Sequence, residues 1–329
     1  MNLSDVLNKS IEPKPYSPSH SMFVSDSYVG VEIEMEGVSS SILRDVPSWR
    51  SVAEHSVDGW ELVLRKPMCE NGLYLALNEL RGLDVPATAF TERTSVHVHI
   101  DVRDMTYLQL INYIALSVMF EPVLYKYVAP HRSSNHFCWS FLDCEALITR
   151  VSEVNRAYNT GDSRSVRDAM ERRFSVGATK YSGINLSSIP KYGSLEFRMH
   201  EGTMNVNAIT RWINILLSIK KYAMGEDRTP SNILETKQDV GIDSIFTAVL
   251  SDYRGVLSYQ GVNNDILKGI RAAQDFVYTI NWDESYTLEM PHIEPQIFQR
   301  FDDALPSRVR VETDDDDDDD YEDDEGEWT

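Results

Sequence analysis

The stretch Gly30-Val31-Glu32-Ile33-Glu34-Met35-Glu36-Gly37 carries a carboxylate at every second position. Read as a β-strand, its period of two sets Glu32, Glu34 and Glu36 on one face and Val31, Ile33 and Met35 on the other. The apolar face can enter a core. Three like charges in a row repel one another and have low strand propensity. Two arrangements meet that conflict: an edge strand with its charges in solvent, which guards against aggregation, or a face with something cationic against it. The strand alone leaves both open.

Two later stretches alternate in the same way. Residues 94–102 set Val96, Val98 and Ile100 against His97, His99 and Asp101. Residues 194–200 set Leu195, Phe197 and Met199 against Ser194, Glu196, Arg198 and His200. A lone His-x-His pair or Glu-x-Arg pair says little, since both are common as cross-strand pairings. On one sheet face the three sets would gather carboxylates, imidazoles and a guanidinium. That combination suits hard divalent cations bridging phosphates, with the arginine on a phosphoryl group in transfer. Glu61 follows the turn signal Asp58-Gly59 and is a candidate fourth carboxylate from a neighbouring strand.

The bulk composition sets the frame. The chain has 329 residues, 42% hydrophobic and 25% charged, as in soluble globular proteins, with ample material for a core. Its formal charge of −21 is concentrated at one end, where residues 312–327 hold thirteen acidic side chains and no basic one, leaving −8 for the remainder. An acidic body argues against direct nucleic-acid binding as the main activity, because that affinity comes from basic patches. Cys69, Cys138 and Cys144 have no paired spacing, which fits a reducing compartment and no structural zinc. The first 18 residues lack the apolar core of a secretory signal, and the apolar run at 111–120 is short for a bilayer and contains Asn112. The expectation is a cytoplasmic protein with no membrane association.

Along the chain, residues 1–27 read as an extended Ser/Pro-rich arm. Strands are expected at 28–37, 49–57 and 60–64, the last two as a hairpin, and a helix at 71–81 ending at Gly82. A long helical pattern at 105–127 contains Pro122, which would kink or stop it. Helices follow at 141–157 and 163–173. Two strands, 180–189 and 194–200, are joined by a turn with Pro190 and Gly193. Further helices fall at 209–224, 239–259 and 265–278. The tail beyond 312 is expected to be disordered.

The motifs Gly30-Val-Glu32-Ile-Glu34, Asp58-Gly-Trp-Glu61, His97-Val-His99-Ile-Asp101 and Leu195-Glu196-Phe-Arg198 with Glu201-Gly202-Thr203 resemble the amidoligases. These belong to the carboxylate–amine ligase superfamily of glutamine synthetase and glutamate–cysteine ligase. The resemblance covers residues 28–223, with Lys180-Tyr181 before Asn185-Leu186 similar to a basic-aromatic step where arginine is commoner.

It implies an α+β fold, glutamine-synthetase-like, with a mostly antiparallel curved sheet lining the active site and helices on its outer face. The organisation would be an arm at 1–27, a catalytic core at 28–225, a mainly helical region at 226–311 and an acidic tail at 312–329. The implied activity is ATP-dependent amide-bond formation between a small-molecule or peptide carboxylate and an amine, through an acyl phosphate, with Mg²⁺ (or Mn²⁺). Glu32, Glu34, Glu61, His97 and Glu196 would be metal ligands. His99, Arg198, Asn185 and Thr203 would contact nucleotide, with Arg198, Glu34 and Glu196 catalytic and Asp101 and Asn205 in lesser roles. Glu36 matches no family position.

Two alternatives stand beside it. One is a metal-dependent hydrolase, since His97-x-His99-x-Asp101 is similar to the start of a metallo-β-lactamase motif. Val102 stands where that motif has a further histidine, and the chain offers mostly glutamates. The other is an inert binding or structural protein on the same fold. For the tail, composition favours a solubilising end over a clamp on a basic protein partner or a DNA mimic.

Overall fold

The alternating stretches form one six-stranded sheet in the computed structural model, which describes residues 1–14, 22–39, 41, 46–54, 57–175, 177–226, 228–229 and 242–280. The strands are β1 (Val29–Glu36), β2 (Trp49–Glu54), β3 (Gly59–Leu64), β4 (Ser95–Asp101), β5 (Ile184–Asn185) and β6 (Ser194–Glu201). Their order is β2-β3-β1-β4-β6-β5, and every neighbouring pair is antiparallel. The protein is therefore α+β with an open antiparallel sheet. β1, the acidic strand, is no edge: β3 and β4 flank it. The acidic tail lies outside the described residues.

Val31, Ile33, Val96, Val98, Ile100, Leu195 and Phe197 are fully buried on the apolar face of β1, β4 and β6. Against this face pack α3 (Tyr107–Tyr127) and α7 (Val206–Ala223). The Tyr113 ring of α3 lies 5.8 Å from that of Phe197, and its hydroxyl donates to the Leu216 carbonyl of α7 at 3.2 Å. α3 starts on a capping box, Thr106 and Gln109 each accepting from the other's backbone N–H. It then runs unbroken through Pro122, against the expected kink or stop. Burial on nearly all its faces offsets the roughly 3 kcal/mol that an interior proline costs. This helix has the length and composition to cross a membrane, and most of it lies inside the core.

Other elements differ from the sequence reading for local reasons. Within the expected N-terminal arm, Leu3–Leu7 form a short helix, α1, whose Leu3 and Val6 are fully buried. The expected strand at 180–189 shrinks to the two residues of β5. Asn185 Oδ1 accepts from Ser187 N at 2.9 Å, turning the chain into α6 (Ser188–Tyr192), which Gly193 ends in the left-handed conformation. Helices α2 (Glu70–Glu79), α4 (Glu145–Asn159) and α5 (Ser163–Phe174) fall where expected. The described part of the later region holds α8 (Ile242–Leu250), α9 (Arg254–Leu257) and α10 (Val262–Thr279).

β6 carries one residue more than β4 between the Val98–Phe197 and Val96–His200 pairs, a β-bulge. The extra residue reverses the alternation. His200, expected beside Glu196 and Arg198, instead faces the helices, with its ring 5.5 Å from that of Trp212. Arg132, fully buried, caps the irregularity by donating to the carbonyls of Arg198 and Met199 at 2.7 and 3.2 Å.

Helix α10 crosses α3 so closely that a Cβ on Gly269 would fall 1.8 Å from the Met119 carbonyl oxygen. Gly269→Ala should therefore destabilise the protein by about 1–3 kcal/mol through overpacking. Gly72, exposed in α2, has nothing nearer than 4.0 Å, so Gly72→Ala should stabilise by about 0.5–1 kcal/mol. Urea denaturation of the two variants reads both signs.

Candidate functional site

The polar face of the sheet is built by register. Glu32 pairs with His97, Glu34 with Glu61, His99 with Glu196, and Asn185 with Glu196 from the other side. Strands β3, β1, β4, β6 and β5 thus each contribute to one continuous row. Gly30 pairs with His99, and a Cβ there would sit 3.3 Å from that of the histidine, so glycine leaves the ring its room.

His97 stands at the centre. Its Nδ1 lies 3.2 Å from Glu32, 3.6 Å from Glu196 and 3.9 Å from Glu61, and its Nε2 lies 3.6 Å from Glu34. His99 Nε2 lies 3.3 Å from Glu32 Oε1. The Glu196 carboxylate is fully engaged: Oε1 accepts from Arg198 Nη1 at 2.6 Å, and Oε2 accepts from Asn185 Nδ2 at 2.7 Å and Ser188 Oγ at 2.8 Å. Arg198 is held by the Phe137 carbonyl as well, which accepts from its Nε at 3.4 Å. The ligand atoms of Glu32, His97 and Glu196 lie within 4.8 Å of one another, as do those of Glu34, Glu61 and His97.

Four carboxylates, two of them buried and two half-buried, thus share the site with one fixed cation among the described residues, Arg198. Unpaired charge is costly there, and the proton equilibria show how it is met. Burial pushes Glu61 well above the usual carboxylate range, and the charges of Glu32 and Glu34 push it further. For Glu32, burial acts against the charged form, but His99 and His97 outweigh it and hold the group below its usual range. Glu196, opposed by burial and favoured by Arg198, His99 and His97, falls to about 2. His99 is raised: burial opposes its charge, and Glu32 and Glu196 prevail. Glu61 and His99 are thereby biased towards their protonated forms, and Glu32 and Glu196 towards their charged ones.

The donor set fits a hard divalent cation. Carboxylate oxygens dominate, one imidazole joins them, and no thiolate approaches among the described residues, which favours Mg²⁺ or Mn²⁺ over zinc. Glu32, Glu34, Glu61, His97 and Glu196 are brought together, with His99, Arg198 and Asn185 beside them.

The remaining candidates are placed elsewhere. Thr203 Oγ1 accepts from Asn205 N, and Asn205 caps α7 through Asn207 N and Ala208 N. Asp101, on the same face by alternation, is held by Arg103 in a two-pronged pair at 2.9 Å. Glu36 is bound by Thr91 and Arg93 at the strand end. Lys180 lies exposed over the Tyr181 ring. Sequence reading did not single out Ser95, Ser188 and Arg132, nor a site role for Ser194, whose Oγ is 3.1 Å from His99 Nδ1. For Ser95 a signal was present, since it shares the parity of His97 and His99.

Residues 77–220 match the family model described as "Putative amidoligase enzyme". That segment, 144 of the 329 residues, is similar to this family. It contains His97, His99, Asn185, Glu196, Arg198 and Thr203, and it spans the whole of β4, β5 and β6. The match supports a ligase. Strands β1 and β3, which carry Glu32, Glu34 and Glu61, precede the matched span, yet β1 pairs directly with β4. No curated protein matches the chain significantly.

The shifts fix a pH dependence. Glu61 and His99 have folded values above their unfolded ones, so their contribution to stability is present below the unfolded values and lost as pH rises through the folded ones. Glu32 and Glu196 contribute above the ordinary carboxylate range and lose that contribution in acid. Glu61→Gln, which mimics the protonated acid, should raise the melting temperature of chelator-treated protein at pH 8 and leave it nearly unchanged at pH 4. Equal effects at both pH values would show that Glu61 does not carry the strain.

Proposed function

We propose that the protein is an ATP-dependent carboxylate–amine ligase of the glutamine-synthetase-like type. The reading rests above all on one observation: Glu32, Glu34, Glu61, His97 and Glu196 converge on one buried sheet face with Arg198 among them. The open antiparallel sheet with an acidic face agrees with what the resemblance to such ligases implies.

In this reading a substrate carboxylate oxygen attacks the γ-phosphorus of ATP, ADP leaves, and an acyl phosphate forms. An amine then attacks the acyl carbon, phosphate leaves, and the amine proton passes to solvent or a nearby base. Bound Mg²⁺ (or Mn²⁺) would neutralise phosphate charge and align the triphosphate. Glu32, Glu34, Glu61, His97 and Glu196 would hold the cations. Asn185 and Ser188 keep the Glu196 carboxylate in place, and Glu196 in turn orients Arg198. A guanidinium so fixed stabilises charge on the phosphoryl group without reorganising during the reaction. His99, whose Nε2 lies 3.3 Å from Glu32 Oε1, would meet phosphate or a cation beside that carboxylate.

The ligase reading is favoured over a His-x-His-x-Asp hydrolase because Asp101 joins neither group of converging ligand atoms and is turned to Arg103 instead. An inert scaffold is separated by calorimetry, in which it would bind no Mg-ATP at millimolar concentrations.

Incubation with Mg-ATP and fractionated cell extract should release ADP and yield a product heavier by an amine minus water, read by mass spectrometry. Glu34→Gln and Glu196→Gln should abolish ADP release while the fold persists. Arg198→Lys keeps the charge but loses the planar fork, and should lower turnover by about 10²–10³-fold with a smaller effect on nucleotide affinity. Wild-type rates in these variants would refute the site.

A further inference from the structure

On the site's own face, Arg198 Nη1 meets Glu196 Oε1 at 2.6 Å and His97 Nδ1 at 3.5 Å. Away from that face, the ties of Arg198 lead to one segment, residues 130–139. Its Nε donates to the Phe137 carbonyl at 3.4 Å, and its own carbonyl accepts from Arg132 Nη2 at 2.7 Å. Its backbone N–H donates to the Gly183 carbonyl at 2.9 Å, and Gly183 N in turn donates to Trp139 O at 2.7 Å. The segment begins as a 3₁₀ turn, Pro130–Ser134, and grips Arg198 by backbone and side chain together.

The bulge in β6 falls at this residue, and a bulge disrupts the ladder around it. Two successive carbonyls there, those of Arg198 and Met199, accept from the Nη2 and Nε of the single Arg132 guanidinium. A rigid planar fork suits such a pair, whereas the ammonium of a lysine is a point charge on a flexible stem. Arg132 is fully buried, and its Nη1 has no hydrogen-bond partner among the described residues. A buried donor left unmet on a charged group costs folding energy, and an apolar residue of similar volume is often the more stable choice. What the guanidinium supplies is geometry at Arg198.

Asn135 fixes the same segment. Its Oδ1 accepts from Phe137 N at 2.8 Å, and its Nδ2 donates to the Glu92 carbonyl, before β4, at 2.9 Å. We propose that Arg132 is a positioning residue: by capping the bulge it sets where Arg198 leaves β6 and holds that guanidinium on the site face, with the Phe137 carbonyl as a second stay. Arg132 touches no reacting atom and acts through Arg198. The effect on turnover rests on the ligase reading of the site; the hold on Arg198 does not.

The test uses the full chain labelled with ¹⁵N-arginine, the Arg198 Nε–H signal being assigned by its loss in Arg198→Lys. Exchange of that hydrogen with solvent should become about tenfold faster in Arg132→Met, as when one hydrogen bond is lost. Asn135→Ala, at a half-buried position, should speed it in the same direction, and carries the test if urea denaturation shows Arg132→Met to be unfolded. ADP release from Mg-ATP, with the extract fraction that supports it, should fall about 10–100-fold in Arg132→Met, with a smaller change in nucleotide affinity. In an Arg198→Lys background, Arg132→Met should lower the rate no further, because its effect passes through Arg198.

Unchanged Arg198 exchange in the folded variants would overturn the positioning role whatever the activity. A further loss of rate in the Arg198→Lys background would make Arg132 merely structural and overturn it equally. Faster exchange in the variants of a protein whose wild type releases no ADP would uphold the hold on Arg198 and refute the ligase reading alone.

Discussion

Four glutamates, two buried and two half-buried, around one buried histidine are the constraint on which the rest of the molecule turns. Glu32, Glu34, Glu61 and Glu196 sit within reach of His97, and Arg198 is the one permanently charged cation beside them among the described residues. A folded protein tolerates such a concentration of like charge only if protons or metal cations offset it. The raised Glu61 and His99 and the depressed Glu32 and Glu196 are what this compromise looks like in the absence of metal. Stability is given up at this face and recovered on the other, where β1, β4 and β6 present a surface to α3 and α7 that is apolar save for His200.

Much of the polar face was legible in the sequence because a strand's period of two is a property of the backbone. Glu32, Glu34, His97, His99, Glu196 and Arg198 fall where alternation places them, since no irregularity intervenes between the residues compared. His200 does not, because the bulge adds a residue that alternation cannot foresee. Asp101 obeys the alternation and still leaves the site, for its carboxylate is captured by Arg103 two residues on. The short β5 and the helix after it depend on Asn185 accepting from the backbone of Ser187, a local choice that competes with strand extension.

The groups that hold the site in shape were the least visible. Arg132 reaches the carbonyls of Arg198 and Met199 across a long sequence separation, and nothing in its own neighbourhood announces that role. Lys220 is similar. Buried in α7, it gives all three ammonium hydrogens to Ser27, Asp104 and the Asp101 carbonyl, tying β4 to the helix beneath it. Serines are common in any chain, and Ser95 and Ser188 show their parts only where the fold sets their hydroxyls against Glu34 and Glu196.

In the proposed reading, metal cations take the place of protons on Glu61 and His99. Calorimetric titration of metal-free protein with Mn²⁺ at neutral pH, in two buffers of different ionisation enthalpy, tests it most directly. The predicted result is binding accompanied by proton release into the buffer, as Glu61 and His99 give up protons to the incoming charge. Absence of binding, or binding with no proton released, would contradict it.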